Sequence, residues 1–103
     1  MEDFNYEIEE MNEVIHIALY GKMDTRIADK MVKEIDLADY KSHMVELDFS
    51  KLEYLSSYGL RFILMLLNYV DDFDDGKLIV SGCNDAILQV LKISGFMSFL
   101  TIV

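Results

Sequence analysis

Two adjacent hydroxyls, Ser56 and Ser57, are the residues best placed for chemistry. A hydrophobic strand, Met44 to Asp48, runs into a short polar connection that ends at this pair, and a strongly apolar helix begins at once. The first amides of a helix point outward without intrahelical partners. Together with the helix dipole they favour a negative charge there. Two readings of the serines follow. One of them can be an N-cap, accepting a helix amide. One of them can be a phosphoacceptor, its modification tolerated by the helix start.

The other reactive side chains form no constellation. His16 lies inside an apolar strand and reads as a structural histidine, and His43 stands beside a strand start, solvated. Neither has a neighbour at metal-ligand spacing, and Cys83 is the only cysteine. Cys83 follows Gly82 before a helix start, a place that can lower a thiol pKa, but a lone cysteine is more often a small apolar packing group. There is no glycine-rich phosphate loop. Leu55-Ser56-Ser57-Tyr58-Gly59 is not a Gly-x-Ser-x-Gly elbow. A nucleophilic serine needs a base, and none stands near in sequence. The chain is therefore expected not to be an enzyme and to need no cofactor or metal.

Composition narrows the partners. With 9 basic and 19 acidic residues the net charge is −10. Nucleic-acid binding runs on lysine and arginine against phosphate, so direct binding of nucleic acid is not expected. Anionic membrane surfaces would repel the chain, and no apolar run approaches the ~18 residues that span a bilayer. A protein with a basic face is the easier partner. The acidic opening Met1-Glu2-Asp3-Phe4 is unlike the basic start of a signal peptide. The single cysteine fits a reducing compartment, and a cytoplasmic location is expected.

The elements that must position Ser56 and Ser57 follow from periodicity. At 103 residues, 52% of them hydrophobic, the chain suits one small domain over residues 1–103. Phe4 to Met11 alternates as a strand with one wet face, Asn12-Glu13 turns, and Val14 to Tyr20 is a β-rich run, so the two form a hairpin. Gly21 to Asp24 breaks the pattern. Asp24 or Thr25 can cap a helix whose Ile27, Ala28, Met31, Val32 and Ile35 share a face. Leu37 to His43 connects to a strand over Met44 to Phe49. After Ser57 a helix runs to about Val70, stopped by the acidic loop 71–76. Lys77 to Ser81 is a short strand, and Asn84 or Asp85 caps a third helix with Ile87, Leu88 and Leu91 inward. Gly95 ends it, and Phe99 to Val103 is a last short strand. The order β-β-α-β-α-β-α-β predicts an α/β fold: a mixed sheet with three helices mainly on one face.

The middle helix is apolar on two sides. Leu60, Ile63, Leu64 and Leu67 suffice to face a sheet. Tyr58, Phe62, Met65, Leu66 and Tyr69 form a second stripe. Either neighbouring helices cover that stripe, or Tyr58, Phe62, Met65 and Tyr69 help form a binding surface beside Ser57. It is also where a weak homodimer would pair.

The stretch Leu47-Asp48-Phe49-Ser50-Lys51-Leu52-Glu53-Tyr54-Leu55-Ser56-Ser57-Tyr58-Gly59-Leu60-Arg61 resembles the signature of STAS domains, and more narrowly that of bacterial anti-sigma-factor antagonists. Gly21-Lys22-Met23-Asp24 resembles the family's Gly-Glu-Leu-Asp before the first helix, and Lys92-Ile93-Ser94-Gly95-Phe96 its third-helix ending. The resemblance spans nearly the whole chain. It implies a STAS fold and a protein that binds an anti-sigma factor which is also a serine kinase, displacing a sigma factor. The kinase would phosphorylate one serine and break the complex, and a metal-dependent serine phosphatase would reset it. Anchored on Gly59, the phosphoacceptor position falls on Ser57. Ser56 stands where many relatives have Asp, and Tyr58 where a small residue is usual. The implied partner-binding residues are Asp24, Ser56, Ser57, Tyr58, Gly59, Arg61, Phe62 and Met65. The alternative within the family is a scaffold module without a phosphoswitch, serving a transporter or a larger signalling complex.

Overall fold

A computed structural model describes residues 4–103; the acidic opening Met1 to Asp3 lies outside the described residues. Five strands form one sheet in the order β1-β2-β3-β4-β5. They are β1 (Phe4–Met11), β2 (Val14–Met23), β3 (Met44–Leu55), β4 (Lys77–Ser81) and β5 (Thr101–Ile102). β1 and β2 are the expected antiparallel hairpin, and every other neighbouring pair is parallel. The hairpin turn places Asn12 and Glu13 at φ of 54° and 65°. Between the parallel strands run α1 (Thr25–Glu34), α2 (Leu60–Asp71) and α3 (Asp85–Ile93).

One face of the sheet is fully buried: Ile15, Ile17 and Leu19 of β2, Val45, Leu47 and Phe49 of β3, and Leu78 and Val80 of β4. They share a core with Ile27, Ala28 and Met31 of α1, Phe62, Ile63 and Leu66 of α2, and Ile87 and Leu91 of α3. The opposite face carries half-buried His16, Ala18, Tyr20, Glu46 and Asp48. The result is the expected mixed sheet with its helices on one face.

Two strands are longer than their residue patterns suggest. β2 passes through Gly21 to Met23, and β3 continues past Phe49 to Leu55. Residues 50–55 still pair with β2, through Tyr20↔Lys51, Gly21↔Leu52, Lys22↔Tyr54 and Met23↔Leu55, across two register irregularities. β4 pairs with β3 only as far as Asp48↔Ser81. Beyond that point no strand pairs with the far edge of β3, Asn84 Nδ2 donates to the Leu52 carbonyl there at 3.3 Å, and period-2 alternation gives way at the irregularities. At the irregularity the Ser50 amide donates to Asp48 Oδ1 at 2.9 Å. The chain leaving β4 passes against this spot: a Cβ on Gly82 would lie 2.8 Å from Ser50 Cα, and Gly82 has a φ of 73°. Only glycine suits both conditions.

The helix starts resolve the capping alternatives. Asp24 Oδ1 accepts the Ile27 amide at 2.8 Å, and Asn84 Oδ1 accepts the Ile87 amide at 2.8 Å. Three residues of the expected connection, Leu37–Asp39, form a 3-10 turn. Another 3-10 turn, Phe96–Phe99, precedes β5, which is shorter than the expected strand over 99–103.

Candidate functional site

The paired ends of β2 and β3 bring two helix starts together. Met23 lies opposite Leu55, and the Ser56 amide donates to the Met23 carbonyl at 3.0 Å. Asp24 then opens α1 on one side, and Ser56 opens the 3-10 turn Ser57–Gly59 that leads into α2 on the other.

Within the serine pair the two hydroxyls part. Ser56 is 6% exposed and is the cap: its Oγ accepts the Gly59 amide at 3.1 Å, and its carbonyl accepts the same amide at 2.9 Å. Ser57 is exposed. Its carbonyl accepts the Leu60 amide, so the chain is already helical from Ser57 onward. Gly59 is buried at a tight crossing, where a Cβ would lie 2.5 Å from Leu55 Cδ1 and 3.3 Å from Met23 Sδ.

Tyr58, the bulky residue between Ser57 and Gly59, reaches across to α1. Its hydroxyl donates to Asp29 Oδ1 at 3.2 Å and accepts from Arg61 Nη1 at 3.1 Å. The Arg61 guanidinium carbon lies 5.0 Å from the Tyr58 ring centre, in cation–π range. Lys33 Nζ closes the chain 3.0 Å from Asp29 Oδ2. The Lys33 ammonium, the Tyr58 hydroxyl and the Arg61 charge hold the Asp29 carboxyl below its ordinary range, against partial desolvation. Asp29 in turn raises the Lys33 pKa.

Of the residues singled out from the sequence, the fold gathers Asp24, Ser56, Ser57, Tyr58, Gly59 and Arg61 around the start of α2. Asp24, Ser57 and Arg61 are exposed, Tyr58 and Met65 are half-buried, and Ser56 and Gly59 are buried. Phe62 must be withdrawn from the surface, because it is 0% exposed. The stripe Tyr58, Phe62, Met65, Tyr69 lies on the flank that meets α1 and the connection after it: Tyr58 bonds to Asp29, and the Tyr69 hydroxyl donates to the Ser42 carbonyl at 2.7 Å. Phe62, between them in the stripe, is buried in the core that α2 shares with α1. The helix is correspondingly turned, so that Phe62, Ile63, Leu66, Leu67 and Val70 are its buried residues. Leu64, expected against the sheet, is 48% exposed instead.

Two residues near the site escape sequence reasoning. Asp29 reads as one more charge on the wet face of α1, and only the fold shows it under Tyr58. Tyr54, 50% exposed, hides in what reads as a polar loop, although the β3 register places it opposite Lys22.

The remaining reactive groups lie apart. His16 Nδ1 is 3.2 Å from Glu46 Oε1 on the open sheet face, and His43 Nδ1 is 2.7 Å from Asp75 Oδ1 at the other end of the strands. Burial pushes the Cys83 thiol up, away from the thiolate form. Among the described residues no three His, Cys, Asp or Glu side chains gather as a metal site. Among the same residues no helix is long and apolar enough to cross a membrane.

The fold that delivers this serine pair recurs in known proteins. Residues 5–103 match the STAS domain family model, and the chain belongs to that family. Within it, the chain is 30% identical over 81 residues to BtrV of Bordetella bronchiseptica, a protein named as an anti-sigma factor antagonist; the match covers 78% of this chain and 69% of that one. The fold is that of the anti-sigma factor antagonist SpoIIAA in its unphosphorylated form, with a TM-score of 0.80 at 17% identity over 96% of this chain and 88% of that one. The phosphorylated form of the Bacillus protein SpoIIAA superposes with a TM-score of 0.72 at 18% identity over 96% and 91% of the two chains.

Proposed function

We propose that this protein is a phosphorylation-released anti-sigma factor antagonist. It binds an anti-sigma factor that is also a serine kinase, frees the sigma factor, and lets go once Ser57 carries phosphate. The observation that carries this reading is the split between the two serines. Ser56 Oγ is buried and engaged by the Gly59 amide, whereas Ser57 is exposed at the same helix start. The names of the relatives, BtrV among them, support the partner class.

In the transfer step Ser57 Oγ attacks the γ-phosphorus of ATP. The Oγ–P bond forms and the bond to the β,γ-bridging oxygen breaks. ADP leaves, and the serine proton passes to a base of the kinase. The product adds about −1.5 to −2 charges. At a helix start this is tolerated within the monomer, so the fold is kept. At the interface the dianion must lose its water among the acidic Asp24 and Glu53 and a protein of net charge −10. Binding should weaken by about 3 kcal/mol or more, the scale of an unpaired buried charge. A serine phosphatase hydrolyses the ester and restores the hydroxyl.

The test is incubation with ATP and the anti-sigma kinases of the source organism, followed by phosphosite mapping. Phosphate on Ser57, absent in Ser57→Ala, with kinase binding lost in Ser57→Asp, supports the switch. No phosphate, with unchanged binding by Ser57→Asp, refutes it and leaves the scaffold role as the better reading.

A further inference from the structure

The inference concerns Arg61 and rests on Ser57 as the phosphoserine. Ser57 and Arg61 are four residues apart on a continuous helical path: the Leu60 amide is bonded to the Ser57 carbonyl, and Gly59 and Leu60 have φ/ψ of −60°/−22° and −62°/−22°. Ser57–Gly59 is a 3-10 turn and α2 begins at Leu60, so Arg61 stands about one turn beyond Ser57, within reach of its long side chain. Arg61 is exposed, and its guanidinium already lies over Tyr58, the residue next to Ser57. There it donates one hydrogen bond, from Nη1 to a neutral phenol oxygen that is itself committed to Asp29. Asp24, exposed at the adjoining start of α1, is acidic, and Lys33 is paired with Asp29. Arg61 is thus the cation within one helical turn of Ser57, held by a contact weaker than a guanidinium–phosphate pair.

We propose that Arg61 is the receiver of the Ser57 phosphate: on phosphorylation its guanidinium leaves the Tyr58 hydroxyl and clamps the phosphate oxygens along the flank of α2. The switch then changes the surface twice. It adds a dianion at Ser57, and it withdraws the exposed guanidinium from any carboxylate of the bound partner. Tyr58 keeps its bond to Asp29, so α1 and α2 stay in place.

The test uses the full chain with phosphoserine incorporated at position 57 during translation, so no kinase is needed. The second ionisation of the phosphate is followed by phosphorus NMR from pH 4 to 9. The groups that also bear on it are Asp24, Arg26, Asp29, Glu53, Lys33 and Tyr58, all of them kept in both proteins compared. Arg61→Gln should raise the midpoint by about 0.15–0.4 pH unit, the scale of an i,i+4 ion pair. Arg61→Lys should restore part of the shift, and ~0.5 M salt should shrink it. In the phosphoprotein the Arg61 Nε–H resonance should move with the same midpoint. Equal midpoints for the parent and Arg61→Gln, with an Arg61 resonance blind to the titration, overturn the clamp. Absence of phosphate transfer by any kinase would sink the functional reading and leave this result unaffected.

Discussion

Ser56 Oγ accepts the Gly59 amide at 3.1 Å from a position only 6% exposed, while its chain neighbour Ser57 faces solvent. One hydroxyl holds the turn and the other is available for chemistry. Removing the cap leaves a buried amide with one acceptor fewer. Ser56→Ala should therefore cost about 0.5–2 kcal/mol in urea unfolding, the usual range for a lost N-cap. Ser57→Ala should stay within about 0.5 kcal/mol of the parent, as expected of an exposed site. A stability loss larger at Ser57 than at Ser56 would reverse the assignment.

Gly59 is required for space rather than for conformation, since its φ is −60°. A methyl group there meets Leu55 Cδ1 at 2.5 Å and Met23 Sδ at 3.3 Å. Gly59→Ala should destabilise by about 1–3 kcal/mol, as overpacked cores do. The nearest clash is with a side-chain end, so trimming that side chain should relieve it. Gly59→Ala with Leu55→Ala should be less destabilised than the sum of the two single changes. Strict additivity in the denaturation midpoints would mean that the strain lies elsewhere.

Phe62 and Leu64 exchange the roles that their spacing suggests, and their substitution should show it. Phe62→Ala, in a fully buried position, should cost about 3–5 kcal/mol. Leu64→Ala, at 48% exposure, should cost under about 1.5 kcal/mol. Partner affinity, corrected for the fraction folded, should be unchanged in the Phe62 variant. A Phe62 variant that folds normally but loses its partner would return this residue to the binding surface.

Much of this fold is legible in the residues alone. The hairpin, the three helices and the alternation of strand and helix are written in periodicity and in the glycines between elements. The serine pair announces itself by standing between a strand and an apolar helix. The end of β3 is not legible, because Ser50 to Leu55 pair on one side only and lose their alternation at the register irregularities. The facing of α2 is not legible either, because an apolar helix offers more than one stripe and the choice belongs to α1. Asp29 is the plainest case. Nothing in its own segment sets it apart, and its role comes from Tyr58, 29 residues away.

At the opposite end of the strands, Glu10 fastens the hairpin to the connection before β3. Its Oε2 accepts the Lys41 amide at 2.9 Å and the Ser42 amide at 2.7 Å. The Ser42 hydroxyl, these two amides and the nearby Lys41 charge hold the Glu10 carboxyl below its ordinary range. The sign follows from linkage. A carboxyl whose folded pKa is depressed stabilises the fold at pH above its unfolded value of about 4.3, and that contribution fades as pH falls through the lower folded value. Glu10→Gln should therefore be less stable than the parent at pH 7. The gap should narrow below about pH 4 as the parent's own carboxylate is protonated. Urea midpoints of the two proteins across pH 2.5 to 7 measure this directly. A gap that is constant over the range would show that the Glu10 contacts act through shape alone, without their charge.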